Sequence, residues 1–130
     1  MSIKYNVKIE EFAQKHYIKN FRKKYKTHWD STFKGIIKML ENLDSILDTN
    51  IVEEINCFDD LAIFKMEFRV FGTKCSKKAS GNRCILALNK KIKEIRILLV
   101  YHKNDIGDKN ETAAWKKMIR DNYSSYDFCK

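Results

Sequence analysis

Hydrophobic residues recur at helical spacing in the first third of the chain. Between Ile9 and Tyr25, apolar residues follow one another at three- and four-residue steps with Lys and Arg between them, which predicts an amphipathic helix. A second helix is predicted to begin near Asp30, whose side chain is of the N-capping type. Its apolar stripe comprises Phe33, Ile36, Ile37, Leu40, Leu43 and Leu47. The two helices are expected to form a hairpin that turns between Lys26 and Trp29.

Strict alternation replaces the helical spacing from Leu61 onward. One face of residues 61–71 is apolar, and the opposite face carries Lys65, Glu67 and Arg69. The apolar face consists of Ala62, Phe64, Met66, Phe68 and Val70. After a loop, residues 83–90 and 93–103 predict two more strands joined by a tight turn. These three strands are expected to form an antiparallel meander, and a shorter strand within residues 51–57 is weakly indicated.

The last strand and the segment after it complete the predicted fold. Apolar residues occupy both faces of this strand, so it is expected in the sheet interior. Asn110 is expected to cap a helix over residues 110–123 that docks on the sheet edge or on the open face of the sheet. The predicted fold class is α+β, with an N-terminal helical hairpin packed on a small antiparallel β-sheet of three to four strands and a short C-terminal helix.

Composition narrows the class of protein. The chain has 130 residues with no Pro and four Gly, so a single domain over residues 1–130 is expected. Its apolar runs are far shorter than the roughly 20 residues of a membrane helix, and residues 1–11 do not resemble a secretory signal, which predicts a cytoplasmic protein. The four Cys form no CxxC pair, and the three His lack metal-ligand spacing. Free thiols, no metal site and no cofactor are therefore expected.

Charged residues are segregated along the chain. Residues 1–28 carry eight Lys and Arg against two acidic residues, whereas residues 29–64 carry two against eight. Residues 65–103 carry eleven against two, a net charge of +9, and residues 104–130 carry five of each. This segregation indicates a surface that faces a polyanion, with nucleic acid as the first candidate and an acidic protein partner as the second. An evenly solvated cationic face is the alternative.

The basic segment supplies candidate site residues. If the hairpin covers the Phe64 face of the sheet, the opposite face, the loop and the strand ends present basic, tyrosine and histidine side chains to a ligand. They are Lys65, Arg69, Lys74, Lys77, Lys78, Arg83, Arg96, Tyr101, His102 and Lys103. Such a set suits RNA cleavage without a metal, because the 2′-hydroxyl of the substrate is itself the nucleophile. That reaction needs a base for the hydroxyl, an acid for the leaving 5′-oxygen and cations for the charged phosphorane.

The basic candidates also have structural interpretations. Lys65 and Arg69 could merely solvate an exposed strand or pair with Glu67 between them. Arg83 directly follows the Ser-Gly-Asn segment, so its guanidinium could bind a phosphate or donate to the carbonyls of that loop.

The aromatic and histidine candidates are less specific. Tyr101 is typical of a core residue if it shares a strand face with Ile97 and Leu99. His102 is the histidine nearest the basic set, and imidazole exchanges protons near neutral pH, but a single His does not define a site.

Three motifs add a family resemblance. They are K-x-x-F-R at residues 65–69, S-G-N-R at residues 80–83 and I-x-I-L-x-V-Y-x-K at residues 95–103. Followed by NETAAWKKMI, they resemble the RelE/ParE superfamily of toxins from type II toxin–antitoxin modules, in the manner of RelE-like and HigB-like members. The resemblance covers nearly the whole chain, since that family also begins with a helical hairpin, continues into an antiparallel sheet and ends in a short helix.

The resemblance implies roles for particular residues. In RelE-like members, basic residues on the strands grip the messenger in the ribosomal A site and assist its cleavage, which implies Lys65, Arg83 and Lys103 here. His102 or Tyr101 would supply proton transfer, as a histidine does in HigB-like relatives. The other basic residues listed above, with Tyr101, would bind RNA. The sequence departs from the family pattern at Glu67, where many members carry a cation, at Lys103, where many carry Arg, and in the absence of a clear C-terminal Tyr.

The resemblance leaves three functions open. The first is a messenger RNA interferase, an endoribonuclease that acts on the ribosome, inhibits translation and is neutralised by a cognate antitoxin. The second is a ParE-like toxin that binds and poisons DNA gyrase and cleaves nothing, which the long helical hairpin favours. The third is a member that only binds nucleic acid or its protein partner.

Overall fold

The computed structural model of the protein describes residues 4–47, 49, 52–58, 60–70, 80–103 and 110–123. Their strands are β1 (Asn6–Ile9), β2 (Val52–Phe58), β3 (Leu61–Phe68), β4 (Asn82–Asn89) and β5 (Glu94–His102). Their helices are α1 (residues 11–25), α2 (Thr27–Glu41) and α3 (Glu111–Asn122), and a 3-10 turn follows α2 at Leu43–Ser45. Within these ranges, no helix combines the length and the apolar character that crossing a membrane requires.

The strands form one sheet in the order β1-β5-β4-β3-β2. The antiparallel meander from β2 to β5 confirms the three predicted strands and the weakly indicated one before them. β5 lies in the sheet interior, as its apolar faces predicted. The expected count of three to four antiparallel strands is wrong, because β1 adds a fifth strand parallel to β5. Residues 6–9 do alternate in burial, but four residues are a short signal and their partner strand is distant in sequence.

The helical hairpin is present, with a different turn. α1 begins at Glu11, contains a π-helical segment at Gln14–Ile18 and ends at Tyr25. The chain reverses at Lys26, whose φ is 53°, and α2 begins directly after it. The prediction that Asp30 is the N-cap is therefore wrong. Asp30 lies in the first turn of α2, where a carboxylate favourably meets the positive end of the helix dipole.

The apolar stripe of α2 is shorter than predicted. Ile36 and Leu40 are buried, and the helix ends at Glu41. Leu43 is buried from the 3-10 turn, whereas Leu47 is 39% exposed and does not join the core. The buried part of the stripe therefore ends at Leu43.

Each face of the sheet carries its own hydrophobic core. The hairpin covers the predicted apolar face, with Ala62, Phe64, Met66, Phe68 and Val70. The opposite face is not open to solvent, because α3 packs there and buries Trp115 and Ile119 against Ile63, Ile85 and Leu99. Of the two predicted docking places for the C-terminal helix, the sheet face is the one it occupies. The sheet is therefore the middle layer of three.

A β-bulge sets the direction of the last residues of β5. The pairing of β4 with β5 shifts between Ile85 and Leu86, which leaves Leu98 as an extra residue in β5. Strict alternation would place Tyr101 on the same face as Ile97. The structure instead places Ile97 in the core under the hairpin and Tyr101 in the core under α3. The expected common face of Tyr101 and Ile97 is therefore wrong, because one inserted residue reverses the alternation.

The turn into β4 generates a prediction about stability. Gly81 has a φ of +77°, and a Cβ built on it would lie 2.7 Å from Nε2 of His102. Its carbonyl also accepts a hydrogen bond from the Lys103 amide at 2.8 Å. Gly81→Ala is expected to lower the free energy of unfolding by about 1–3 kcal/mol, because the backbone is left-handed and the new methyl group displaces the imidazole. Urea denaturation measures this change.

Gly35 provides the matched control. It lies in α2, and a Cβ built on it meets no atom within 4 Å. Gly35→Ala is therefore expected to raise the free energy of unfolding by about 0.5–1 kcal/mol, through helix propensity alone. A Gly81→Ala variant as stable as the wild type would contradict the left-handed turn.

Candidate functional site

Three adjacent strands bring hydrogen-bond donors together near one end of the face that α3 covers. Lys65 lies on β3, Arg83 on β4 and Tyr101 on β5. Arg83 pairs directly with Tyr101 across the two strands, and on its other side it pairs with Glu67, two residues from Lys65. Because alternate residues of a strand point to the same face, the side chains of Lys65, Arg83 and Tyr101 project to one side of the sheet.

A carboxylate from α3 lies where these donors converge. Oε2 of Glu111 accepts a hydrogen bond from the Tyr101 hydroxyl at 2.7 Å and lies 3.0 Å from Nζ of Lys65. Nε of Arg83 is 3.8 Å from the same oxygen, and Nη1 of Arg83 donates to the carbonyl of Asn82 at 3.1 Å. We call Lys65, Arg83, Tyr101 and Glu111 the Glu111 cluster. A single oxygen atom thus accepts a hydrogen bond from the Tyr101 hydroxyl and lies within ion-pair distance of two cations, with Nε of Arg83 too far away to donate a hydrogen bond to it.

The position of Glu111 follows from the way α3 begins and docks. The side chain of Asn110 accepts a hydrogen bond from the Ala113 amide at 3.1 Å, which confirms the predicted N-cap. Glu111 is then the first residue of the helix, where the helix dipole favours a negative charge. Trp115 and Ile119 are fully buried on the sheet side of α3. These contacts fix the helix so that its first carboxylate lies over the three strands.

The side chains of the Glu111 cluster are largely buried, but some of them remain partly exposed to solvent. The side chain of Arg83 is 7% exposed, that of Lys65 17% and that of Glu111 23%. Burial alone raises the pKa of Glu111, but the hydrogen bonds from Tyr101 and Lys65, with the charges of Lys65 and Arg83, outweigh it and lower the pKa. The carboxylate therefore remains an anion at neutral pH. Two cations against one anion leave the cluster with a positive charge.

Tyr101 acts as a donor in this arrangement. Burial raises the pKa of Tyr101, and the hydrogen bond to Glu111 together with the negative charge of Glu111 raises it further. A phenol held so firmly in its protonated form is not suited to be the base for a 2′-hydroxyl. It is suited to donate a hydrogen bond to an oxyanion.

His102 and Lys103 lie beside the Glu111 cluster but on other sides of the strand end. His102 pairs with Asn82, and it lines a small cavity with Asn20 and Lys24 of α1, on the hairpin side of the sheet. Lys103 directly follows β5 and is exposed. The structure therefore brings Lys65 and Arg83 together at Glu111. The other two predicted catalytic residues, His102 and Lys103, lie at the end of β5. Their catalytic roles stay predictions.

Arg96 lies away from the Glu111 cluster. It precedes Tyr101 by five residues on β5, a distance of roughly 15 Å along an extended strand. Its guanidinium donates to Glu94 at 2.7 Å and to Glu10 at 3.0 Å, which ties β5 to the end of β1. This network gives Arg96 a structural part in holding the edge strand. Its predicted contact with RNA stays a prediction.

The remaining predicted RNA-binding residues are Arg69, which follows β3, and three lysines outside the described residues. Arg69 follows β3 and is exposed, and it lines a cleft beside Thr32 and Gly35 of α2. Lys74, Lys77 and Lys78 lie outside the described residues. In the sequence, they belong to the segment between β3 and β4.

Of the cysteines, only Cys84 has a described side chain. It is a free thiol buried on the hairpin side of β4, and burial raises its pKa to about 12. It therefore remains a protonated thiol that packs as a small apolar side chain. Cys75 lies outside the described residues.

Sequence reasoning missed Glu111. Because Glu111 follows the N-cap Asn110, the sequence does indicate that Glu111 begins the helix. A carboxylate in the first turn is, however, usually explained by its interaction with the helix dipole alone. Nothing in the residue spacing says that this helix packs across β3, β4 and β5 with its first turn over Lys65. The missing information is the docking of α3, which is a tertiary contact.

The geometry of the cluster suits a bound oxyanion. An ammonium, a guanidinium and a hydroxyl that converge on one oxygen are the donors that proteins use for phosphate as well as for carboxylate. Low exposure strengthens such contacts, because water competes less for the donors. Among the residues that the structure describes, no three His, Cys, Asp or Glu side chains are grouped to hold a metal ion.

Comparison with known proteins adds a finding about the fold. No protein-family model matches the chain, and no curated protein matches its sequence. Among solved structures, the chain is similar to the archaeal RelE in the crystal structure of the RelE–RelB complex from Pyrococcus horikoshii OT3. The TM-score is 0.53 at 22% sequence identity, and the match covers 78% of this chain and 96% of that chain. The chain therefore has a RelE-like fold.

The lowered pKa of Glu111 predicts a pH dependence of stability. Its ordinary value is 4.5, and the folded state holds it lower, so the carboxylate contributes stability that is fully present above that value. This contribution is lost as the pH falls through the lower, folded-state pKa. Glu111→Gln is expected to show a smaller loss of unfolding free energy than the wild type between pH 6 and pH 3, measured by urea denaturation at each pH.

Asp121→Asn is the control for this measurement. Asp121 is exposed near the far end of the same helix, so its substitution removes the same charge without touching the cluster. It is expected to keep the pH dependence of the wild type. If the two substitutions flatten the curve equally, the contacts of Glu111 do not stabilise its charged form.

Proposed function

We propose that this protein is the toxin of a type II toxin–antitoxin module and that it cleaves messenger RNA on the ribosome without a metal ion. One observation carries the proposal: Lys65, Arg83 and Tyr101, from three neighbouring strands, surround a single oxygen, to which Tyr101 donates a hydrogen bond and which lies within ion-pair distance of both cations. The RelE-like fold supports it, because the family resemblance implies Lys65 and Arg83 as residues that contact the messenger. The basic residues between 65 and 103 supply the charge that attracts RNA.

In the proposed reaction, the substrate provides its own nucleophile. The 2′-oxygen attacks the adjacent phosphorus, the bond from phosphorus to the 5′-oxygen breaks, and the products are a 2′,3′-cyclic phosphate and a 5′-hydroxyl. Lys65 and Arg83 stabilise the additional negative charge of the phosphorane, and Tyr101 donates to one of its oxygens. The proton leaves the 2′-hydroxyl for a base, and an acid returns a proton to the leaving 5′-oxygen. The chain's own contribution is therefore mainly electrostatic.

His102 and Lys103 are assigned to the end of β5 that the RNA strand would cross. His102 follows Tyr101 directly, so an RNA strand that passes over the sheet end reaches both residues although they point to opposite faces. We assign proton transfer to His102 and contact with the backbone of the messenger to Lys103. We assign contacts with the flanking nucleotides to Arg69, which follows β3, and to Lys74, Lys77 and Lys78 of the basic segment after it in the sequence.

A cognate antitoxin is the proposed protein partner. The structural neighbour was crystallised as a RelE–RelB complex. In this chain, the excess of eleven basic over two acidic residues between 65 and 103 favours a partner segment with acidic residues. Such a segment would neutralise the toxin by covering the RNA-binding surface.

The proposal predicts that the Glu111 cluster is needed for cleavage. Arg83→Gln and Lys65→Ala are each expected to lower the rate of messenger cleavage about 100-fold or more, because each removes a donor to the phosphorane. The measurement uses purified protein, ribosomes and a defined messenger, with cleavage sites mapped by primer extension. Growth arrest on induction of the gene is expected to disappear in parallel.

Lys91→Ala is the matched control, because Lys91 is exposed in the turn between β4 and β5, at the opposite end of the strands. It is expected to cleave like the wild type. Thermal melting of each variant separates loss of chemistry from loss of folding. Full cleavage by folded Arg83→Gln and Lys65→Ala would overturn the proposed site, and inhibition of DNA supercoiling with no cleavage by the wild type would identify a gyrase poison instead.

A further inference from the structure

The acceptor at the centre of the Glu111 cluster is part of the protein itself. Oε2 of Glu111 accepts a hydrogen bond from the Tyr101 hydroxyl at 2.7 Å and forms ion pairs with Nζ of Lys65 at 3.0 Å and with Nε of Arg83 at 3.8 Å. A carboxylate oxygen and a non-bridging phosphate oxygen accept from the same donors at similar distances. A phosphodiester bound by these three residues would therefore need the position that Glu111 occupies.

We propose that Glu111 closes the phosphate site from within, and that RNA binds only when the Glu111 side chain turns out of the cluster while the body of α3 stays docked. This inference rests on the proposed function for the identity of the ligand. The inference adds that Glu111 regulates the access of RNA to the site, which the proposed reaction does not require. The internal carboxylate competes directly with the substrate phosphate.

Because α3 is anchored to the sheet, we expect the Glu111 side chain to move and the helix itself to stay in place. Trp115 and Ile119 are fully buried against the sheet. At the end of α3, the hydroxyl of Tyr123 donates to the carbonyl of Leu98 at 2.7 Å, in the bulge of β5. Glu111 is 23% exposed in its side chain and is followed by exposed residues, so it has solvent to turn into.

The charges make the exchange of one anion for another feasible. Removing cations such as Lys65 and Arg83 from water is costly, and the Glu111 carboxylate lies within ion-pair distance of both. Glu111 offsets that cost in the free protein, and a phosphodiester offers a single negative charge in its place. The apparent affinity for RNA is then the intrinsic affinity multiplied by the fraction of molecules in which Glu111 has turned out.

The opposite role of Glu111 would be to position Lys65 and Tyr101 for the substrate. Both roles use the same contacts, but they differ in the sign of the effect when the charge is removed. A competing carboxylate weakens binding, so its removal strengthens binding. A positioning carboxylate supports binding, so its removal weakens binding.

The test compares the affinities of Glu111→Gln and of the wild type for an RNA that cannot be cleaved. The probe is a fluorescein-labelled eight-nucleotide RNA with 2′-O-methyl groups, and the readout is fluorescence anisotropy at constant salt. Glu111→Gln is expected to bind about tenfold more tightly than the wild type, since tenfold corresponds to about 1.4 kcal/mol. Asp121→Asn, which removes the same charge from the far end of α3, is expected to stay within about twofold of the wild type. Binding by Glu111→Gln no tighter than by Asp121→Asn would overturn the inference.

A double-mutant cycle tests whether the gain comes from the cluster. In a Lys65→Ala, Arg83→Gln background, Glu111→Gln is expected to give no gain, because the donors that it would release are absent. A gain that persists there would show a general charge effect and would count against closure by Glu111. Thermal melting confirms that each variant is folded.

Hydrogen exchange tests which part of the protein moves. The amide of Tyr123 donates to the carbonyl of Ile119 at 2.8 Å, and the amide of Ala114 to the carbonyl of Asn110 at 3.1 Å. Both amides are expected to keep their protection when the wild type binds the RNA probe. Loss of protection along α3 would show that the helix is released and would overturn a side-chain movement.

Failure of the inference can be told apart from failure of the proposed function. If Glu111→Gln binds the probe more tightly but the wild type cleaves no messenger on ribosomes, closure by Glu111 stands and the nuclease assignment falls. If Arg83→Gln abolishes cleavage but Glu111→Gln binds no more tightly, the nuclease assignment stands and closure falls.

Discussion

Strands β4 and β5 lie inside the sheet and are largely apolar on both faces, and this constraint shapes the rest of the molecule. Residues 82–88 and 97–101 are buried throughout, so the sheet is stable only when a layer of structure covers each side. The hairpin of α1 and α2 covers one side, and α3 covers the other. The RelE-like fold of this chain therefore has three layers, in which helices bury both faces of the sheet.

The covering of the second face is what creates the candidate site. α3 docks through Trp115 and Ile119, and this docking carries its first residue over Lys65, Arg83 and Tyr101. A helix that had docked on the sheet edge would have left these donors open to solvent. The carboxylate of Glu111 instead compensates two cations that lie mostly out of water. The stability of the second core and the position of Glu111 in the candidate site are thus consequences of one packing contact.

Local patterns were sufficient for most of the elements and for the basic residues of β3. Alternation in residues 61–71 places Lys65 opposite Phe64, and the structure finds these residues on opposite faces because a strand period of two leaves no other choice. The cap at Asn110 is equally local. The strand β1 was not predictable in the same way, because four alternating residues are recognisable as a strand only through their parallel pairing with β5. The start of α2 depends on the positive φ of Lys26, which a lysine rarely adopts.

By itself, the sequence determined the strands of the meander, the helical hairpin, the excess of positive charge between residues 65 and 103, and the placement of Lys65 on the face of β3 opposite Phe64. These features depend on periodicity and charge, which are properties of neighbouring residues. Only the tertiary structure decided that Tyr101 joins that face and that Glu111 occupies its centre. The first depends on one extra residue in β5, which reverses the direction of all later side chains. The second depends on where a distant helix docks, and no spacing along the chain encodes the distance between Glu111 and Lys65.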